Sequence, residues 1–147
     1  MFSASEIKTL IDNSVPFVPP LTSGIVVKVY DGDTITIVSK LPYDGSPLYR
    51  FSVRIRNIDC PEIRGSCDDE KQCAKIAKQR VSDLILGKNV ELRNVGSEKY
   101  GRVLTDVIID NQDVGRLLID ERLALEYSGG TKSKVESWIK YYETGQL

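Results

Sequence analysis

The stretch Gly24-Ile-Val-Val-Lys-Val-Tyr-Asp-Gly-Asp-Thr-Ile-Thr-Ile-Val38 decides how the chain is expected to fold. Its first half is a β-branched run, and its last five residues alternate polar with apolar side chains, which is typical of strands. Asp31-Gly32, between the two halves, is a strong turn signal. The stretch therefore predicts a β-hairpin with strands over residues 24–30 and 34–38.

Three further strands and three helices are predicted after this hairpin. Residues 49–58 form a third strand, in which Arg54 and Arg56 share a face with Ile58. Residues 68–86 show helical spacing of apolar side chains, and Gly87 follows where a C-cap glycine belongs. Strands over 89–94 and 103–109 and helices over 114–122 and 132–142 complete the pattern. Five strands with a helix between the third and fourth predict an α+β fold, mainly a five-stranded OB-type barrel.

The first 20 residues differ in character from the rest of the chain. A short helix is predicted over residues 5–13, and the proline-rich segment 16–20 disfavours both helix and central strand. We therefore predict an N-terminal extension over 1–20 and a domain over 21–147. No basic segment followed by an apolar run is visible at the start, which favours an intracellular protein, and no apolar stretch is long enough to span a membrane. A monomer without an obligate protein partner is expected.

Composition excludes several kinds of chemistry. The 147 residues include no histidine, so catalysis by Ser-His-Asp or Cys-His arrangements is impossible, and hydrolysis must use carboxylates, a metal or arginine. The net charge of −1 argues mildly against a non-specific nucleic-acid binder. Cys60, Cys67 and Cys73 cannot form a disulfide framework or complete a zinc site alone, although a Cys67–Cys73 bridge stays open.

Four short segments carry residues suited to phosphate chemistry. They are Asp31-Gly-Asp-Thr34, Arg54, Asp59-Cys-Pro-Glu62 and Lys99-Tyr-Gly-Arg102. Each alone is an ordinary turn or strand residue, but strand ends of a closed barrel can meet at one rim. Two carboxylates there suit a hard cation such as calcium. Two arginines suit a phosphate, and a third carboxylate can act on a water molecule.

Taken in order, these segments resemble the signature of the staphylococcal nuclease (thermonuclease-like) family. The resemblance extends over about residues 23–142. It implies a five-stranded OB barrel with three helices. It also implies a calcium-dependent endonuclease that cleaves DNA and RNA and leaves 3′-phosphate ends.

The resemblance assigns metal and water roles to one group of residues. Asp33 and Asp59 would ligate calcium through their carboxylates and Cys60 through its backbone carbonyl, with magnesium a less favoured ion. The family usually has threonine where this chain has Cys60. Glu62 would act either as general base or as the residue that positions the attacking water.

The phosphate and nucleotide roles fall to a second group. Arg54 and Arg102 would bind the scissile phosphate. Asp31 is either a second acid near the metal or only the first residue of the turn, and Thr34 is a candidate to hold the Asp33 carboxylate. The candidates for nucleotide contacts are Lys99, Tyr100 and Tyr127, for each of which a solvated, rim or core position is the alternative.

Two other functions compete with a nuclease. One is a nuclease-like module that binds nucleic acid with weak or no catalysis, against which the retained arginines and Glu62 argue. The other is a single-strand binder, which would need a basic groove and more aromatic residues than Tyr49 and Phe51 on the second and third strands. Gly129-Gly-Thr-Lys132 lacks the spacing of a P-loop and is interpreted as a loop before the last helix. Arg56 and Arg64 are interpreted as solvated arginines.

Overall fold

The computed structural model describes residues 1–130, 132 and 135–147. Its strands are β1 Ser23–Asp31, β2 Thr34–Lys40, β3 Leu48–Ile55, β4 Ile58–Asp59, β5 Asn89–Ser97, β6 Val103–Ile109, β7 Gln112–Asp113 and β8 Leu125–Glu126. Its helices are α1 Ala4–Asp12, α2 Asp68–Ile85, α3 Val114–Asp120 and α4 Trp138–Thr144.

Five of these strands close into a barrel. The order along the sheet is β3-β2-β1-β5-β6, and a parallel pairing of β3 with β6 joins the two edges. β7 extends the β6 edge, and β4 pairs with β8 in a separate two-stranded ribbon. The predicted α+β fold with a five-stranded barrel is thereby confirmed, and α1 adds a fourth helix in the part of the chain that the structure describes.

The β1–β2 hairpin forms as its sequence predicts and brings its turn against the rest of the fold. Asp31 pairs with Thr34, which leaves Gly32 and Asp33 at the tip. A Cβ atom on Gly32 would lie 2.9 Å from Cys60 Sγ and 3.0 Å from Ala77 Cβ of α2. Glycine is therefore needed here because the turn backbone packs directly on two buried side chains.

The predicted third strand over residues 49–58 is confirmed up to Ile55 and wrong after it. β3 ends at Ile55, and the chain then turns at Asn57, whose φ of 69° lies in the left-handed region. The chain then continues as β4, and Asn57 lies in the turn between the two strands. The strict alternation also fails before the turn, because Arg54 is buried together with both of its neighbours in β3. This strand end is covered on both faces, which a simple in-out pattern could not indicate.

The last predicted helix, over residues 132–142, begins later and ends later. Residues 131, 133 and 134 lie outside the described residues, and Lys132 is not helical. α4 begins after Ser137, whose side chain accepts a hydrogen bond from the backbone of Lys140, and it ends at Gly145 in the left-handed conformation. A serine N-cap and a glycine C-cap therefore set these bounds.

The core fills the barrel and the space beneath α2 and α3. Among its fully enclosed side chains are Val26, Ile35, Ile37, Val53, Val81, Val107 and Leu118. Helix α1 contributes no buried residue to it. All three cysteines are free thiols, so the bridge left open between Cys67 and Cys73 is not formed. None of the described helices is both long and apolar enough to cross a membrane.

Candidate active site

The end of β3 places one arginine between two acids. Arg54 Nη1 lies 3.4 Å from Asp33 Oδ2, and Arg54 Nη2 lies 3.7 Å from Asp59 Oδ1. All three side chains are at most about a tenth exposed. We call Asp33, Arg54 and Asp59 the floor of the site. The predicted carboxylates and the first arginine are therefore brought together by β2, β3 and β4, with the arginine at ion-pair rather than hydrogen-bond distances.

Both carboxylate oxygens of Asp33 accept hydrogen bonds that hold its side chain in place. Asp33 Oδ2 accepts a hydrogen bond of 2.9 Å from the backbone N–H of Cys60, and Asp33 Oδ1 accepts one of 3.0 Å from the Thr34 hydroxyl. The contact expected of Thr34 is present. The Cys60 thiol is buried, and burial raises its pKa well above the ordinary value. Cys60 therefore packs as a small apolar side chain while its backbone faces Asp33.

Two acids hold the loop that carries Glu62. Asp31 Oδ1 accepts from the backbone N–H of Ile63 at 3.0 Å, and Glu70 Oε2 accepts from the backbone N–H of Glu62 at 3.0 Å. Burial raises the pKa of Asp31, partly offset by the Ile63 hydrogen bond. Asp31 therefore positions the loop that carries Glu62, while its predicted place near a metal stays a prediction. Glu70 had not been expected near the site, and its place in the first turn of α2 was the available signal.

A lysine that sequence analysis treated as part of a plain loop reaches this site. Lys132 Nζ lies 2.9 Å from Asp59 Oδ1 and 3.3 Å from Glu62 Oε1, while the Glu62 side chain is half exposed. Burial opposes the charge on Lys132, but its contacts with Asp59 and Glu62 outweigh that effect and raise its pKa. In the sequence, the Gly129-Gly130 pair shortly before Lys132 was a possible signal of a turn. Both glycines have positive φ in the structure.

Asp59 has two cations nearby, Lys132 and Arg54, but one of its oxygens lacks a hydrogen bond from any described residue. Among the described residues, Asp59 Oδ1 has no hydrogen-bond partner, because Lys132 is close but not aligned to donate. Burial raises the pKa of Asp59 despite the opposing attraction of Lys132. A buried carboxylate oxygen that lacks a donor is a suitable ligand for a cation.

The floor offers the kind of oxygen atoms that bind a hard cation. Asp33 and Asp59 offer carboxylate oxygens, which calcium and magnesium prefer. The backbone of Cys60 lies beside Asp33, whereas its protonated thiol is directed into the core. Within the described part of the chain, no three histidine, cysteine or acidic side chains converge on a metal position. Any cation bound here would therefore need backbone or water oxygens besides the two carboxylates.

The second arginine lies on an exposed turn, which we call the rim and define as residues 98–102. The Glu98 N–H donates to the Arg102 carbonyl at 2.9 Å and closes the turn. The side chains form a two-point ion pair, with Arg102 Nε 2.5 Å from Glu98 Oε1 and Arg102 Nη2 3.0 Å from Glu98 Oε2. This hydrogen bonding to Glu98 raises the pKa of Arg102. Arg102 Nη1 also lies 3.4 Å from the Thr34 hydroxyl, which links rim to floor.

A small cleft collects most of the predicted catalytic residues. It has a volume of about 260 Å³. The residues that line it are Tyr30, Asp31, Asp33, Thr34, Arg54, Glu62, Arg64, Arg102 and Lys132. Arg64 is exposed, as a solvated arginine would be, and it also lines this cleft. Arg56 does not line this cleft, because its guanidinium donates to the backbone carbonyls of Asn94 and Leu104.

The predicted nucleotide contacts share a larger neighbouring cleft. This cleft, of about 560 Å³, is lined by Arg54, Lys99, Tyr100 and Tyr127, among others. The Tyr127 ring centroid lies 6.0 Å from Arg54 Cζ, and Tyr100 is largely exposed. The two clefts meet at Arg54, so flat aromatic surfaces lie close to the charged floor.

Comparison with known proteins agrees with this arrangement. The family model described as staphylococcal nuclease homologue matches residues 52–144. The chain belongs to this family. The matched segment contains Arg54, Asp59, Glu62 and Arg102, whereas the hairpin turn with Asp33 precedes it. The family assignment made from the signature residues is confirmed.

One curated relative supports the same assignment. The chain is 31% identical over 102 residues to a Haemophilus influenzae protein named "Uncharacterized endonuclease". The aligned segment covers 69% of this chain and 51% of the relative, so the chain spans about half of the relative's length. The alignment is consistent with the family assignment.

Proposed function

We propose that this protein is a calcium-dependent phosphodiesterase that cleaves DNA and RNA internally and leaves 3′-phosphate ends. The observation that carries the proposal is the small cleft in which Asp33, Arg54, Glu62 and Arg102 meet. One acid for a cation, two arginines for a phosphate and a half-exposed carboxylate for a water line one volume of 260 Å³, and the second acid for the cation, Asp59, lines the adjoining cleft. The calcium preference and the position of the cleaved bond rest on the family resemblance.

The two arginines would supply the positive charge that the reaction needs. Attack on a phosphodiester increases the negative charge on the phosphoryl oxygens, and fixed donors aimed at those oxygens lower the barrier. Arg54 already points into the cleft without a hydrogen bond to either flanking acid. Arg102 would exchange its paired contact with Glu98 for a paired contact with the phosphate.

Glu62 would act on the attacking water. Its side chain is half exposed and is held at its backbone by Glu70, so the carboxylate can accept a proton from water that enters the cleft. When bound by Asp33, Asp59 and the Cys60 carbonyl, calcium would supply further charge for the phosphate oxygens. The leaving 5′-oxygen must gain a proton, which solvent can provide because the cleft is open at Glu62.

The substrate class follows from the larger cleft. Tyr100 and Tyr127 present ring faces on which a base can stack whatever its identity, and Lys99 can contact a flanking phosphate. A site of this kind favours single-stranded or frayed nucleic acid over a particular sequence. The name of the Haemophilus influenzae relative is consistent with internal cleavage.

The experiment is a cleavage assay on end-labelled single-stranded DNA and RNA oligonucleotides. Calcium, magnesium and EDTA are compared, and product ends are identified by their sensitivity to a 3′-phosphatase. Glu62→Gln should lower the rate by about 10²-fold or more, since general acid-base catalysis is typically worth that much. Glu143→Gln removes an exposed carboxylate from α4 and serves as the matched control. Cleavage that persists in EDTA, or an active Glu62→Gln variant, would contradict the proposal.

A second candidate is a nucleic-acid-binding module with weak or no catalysis. The observation that favours it is that Lys132 contacts Glu62 and Glu98 contacts Arg102, so both groups are already neutralised. Fluorescence anisotropy with the same oligonucleotides separates the two functions. Binding without any cleavage in calcium would support the module, whereas turnover would reject it.

A further inference from the structure

Lys132 lies against one of the two acids assigned to the metal, Asp59, and against Glu62. Besides the 260 Å³ cleft that Asp33 lines, a separate cleft of about 280 Å³ is lined by Asp59. Lys132 and Glu62 line both clefts, so the Lys132 side chain lies where the two clefts adjoin. An ion that binds Asp59 Oδ1 would meet this ammonium at the same oxygen.

We propose that Lys132 is a tethered counter-cation of the metal site, which a divalent cation must displace in order to bind. The inference rests on the proposed function, because that function assigns Asp33 and Asp59 to the metal. Its basis is geometric: the ammonium lies 2.9 Å from Asp59 Oδ1, the oxygen that lacks a hydrogen bond from the described residues. A lysine and a divalent ion at one carboxylate oxygen repel each other, so they compete for it.

The backbone before Lys132 has features that suit a side chain able to leave. Gly129 and Gly130 adopt positive φ values of 97° and 79°, and no atom of the described residues lies within 4 Å of a Cβ built on either. The Tyr127 hydroxyl donates to the Gly130 carbonyl at 2.9 Å and anchors this turn on the barrel side. The Lys132 side chain is 47% exposed, so it can reach solvent without unpacking the core.

The displacement has a consequence for Glu62. The same ammonium lies 3.3 Å from Glu62 Oε1. Lys132 therefore contacts both Asp59, which is assigned to the metal, and Glu62, which is proposed to act on water. Departure of Lys132 would release both carboxylates in one step. Metal binding would in that way also prepare Glu62, and the free protein would keep its acids neutralised until metal arrives.

The test is calcium binding by isothermal titration calorimetry, without nucleic acid. Wild type is compared with Lys132→Met, Lys132→Arg and the control Lys140→Met, which removes an exposed lysine of α4 and causes the same change in net charge. We expect Lys132→Met to bind calcium roughly tenfold more tightly than wild type, because a partly exposed cation near the ligand is removed. Lys132→Arg should stay near wild type, and Lys140→Met should change affinity by less than about twofold. Thermal unfolding followed by circular dichroism verifies that all variants are folded.

The outcomes separate this inference from the proposed function. Equal calcium affinity in wild type and Lys132→Met, or weaker affinity in the variant, overturns the inference even if wild type cleaves nucleic acid. Calcium binding by Lys132→Met but not by wild type supports the inference and contradicts calcium dependence of the native protein. No calcium binding by any variant overturns both.

Discussion

The floor and the rim each contribute one arginine to the same cleft but hold it in different ways. Arg54 of the floor is 9% exposed and lies between two buried acids at the end of a barrel strand. Arg102 of the rim is 34% exposed and pairs with Glu98, four residues away on the same turn. The floor charges therefore belong to the packing of the barrel, whereas the rim charge can be removed with little effect on packing. The same chemical role carries different structural costs at the two positions.

The largest effect is expected from Arg54→Ala. Under the proposed function the change removes a phosphate donor, and it leaves Asp33 and Asp59 buried without their shared cation. Loss of one partner of a buried pair costs about 3 kcal/mol of unfolding free energy, and loss of one transition-state donor costs about 10²–10³ in rate. Urea unfolding and the oligonucleotide cleavage assay measure the two effects.

Arg93→Ala is the matched control for this variant. Arg93 lies on β5 of the same barrel and forms an exposed pair with Glu91, with both side chains 51% exposed. Because an exposed ion pair contributes little to stability, its loss should leave both the unfolding midpoint and the cleavage rate close to those of wild type. An Arg54→Ala protein as stable as wild type would show that the floor is not held together by its charges.

Arg102→Ala should separate activity from stability. We expect a rate loss of about 10²-fold, because a donor to the phosphate is removed. The unfolding free energy should change by less than about 1 kcal/mol, because the lost ion pair with Glu98 is a partly exposed one within a single turn. A stability loss as large as that of Arg54→Ala would remove the distinction between rim and floor.

The contrast also explains which parts of the site could be predicted from sequence. Hydrophobic alternation and the Asp31-Gly32 turn locate the strand ends that carry the floor. Asp33, Arg54 and Asp59 could therefore be placed together at one end of a barrel. The turn at Asn57 was missed because its left-handed backbone leaves no periodic signal in a run of strand-forming residues. Lys132 was missed because its contact with Glu62 joins residues 70 positions apart, and no local pattern specifies such a pair. Glu70 lies only eight residues from Glu62, and its place in the first turn of α2 was a signal that went unused.

Glu98→Gln should have a smaller effect than Arg102→Ala, and it should strengthen substrate binding instead of lowering activity. Arg102 must release the Glu98 carboxylate before it can engage a phosphate with the same face of the guanidinium. A glutamine keeps the size of the side chain but weakens this competition, and the exposed pair is worth up to about 1 kcal/mol. We therefore expect KM to fall by about twofold to fivefold with kcat nearly unchanged.

Steady-state cleavage of a short oligonucleotide at several concentrations measures that change. Glu91→Gln, on the exposed pair with Arg93, should leave KM as it is in wild type. A higher KM in Glu98→Gln would mean that Glu98 holds Arg102 in its productive position, and the rim would then be as organised as the floor.

The smallest effect is expected at Cys60, where the family usually has threonine. The Cys60 side chain is 2% exposed and packs closely beneath Gly32, so a threonine hydroxyl there would be buried. An unpaired buried hydroxyl costs about 1–3 kcal/mol, whereas the backbone N–H that Asp33 uses is unchanged. Cys60→Thr should therefore lose about 1 kcal/mol in urea unfolding while its cleavage rate stays within about threefold of wild type. Cys67→Thr, at the exposed N-cap of α2, is the control: it should leave the cleavage rate unchanged and should not lower stability, because threonine can cap a helix whose N-cap cysteine makes no hydrogen bond. A gain in both stability and rate for Cys60→Thr would instead mean that the hydroxyl finds a partner at the floor, and that cysteine leaves a hydrogen bond of the metal site unmade.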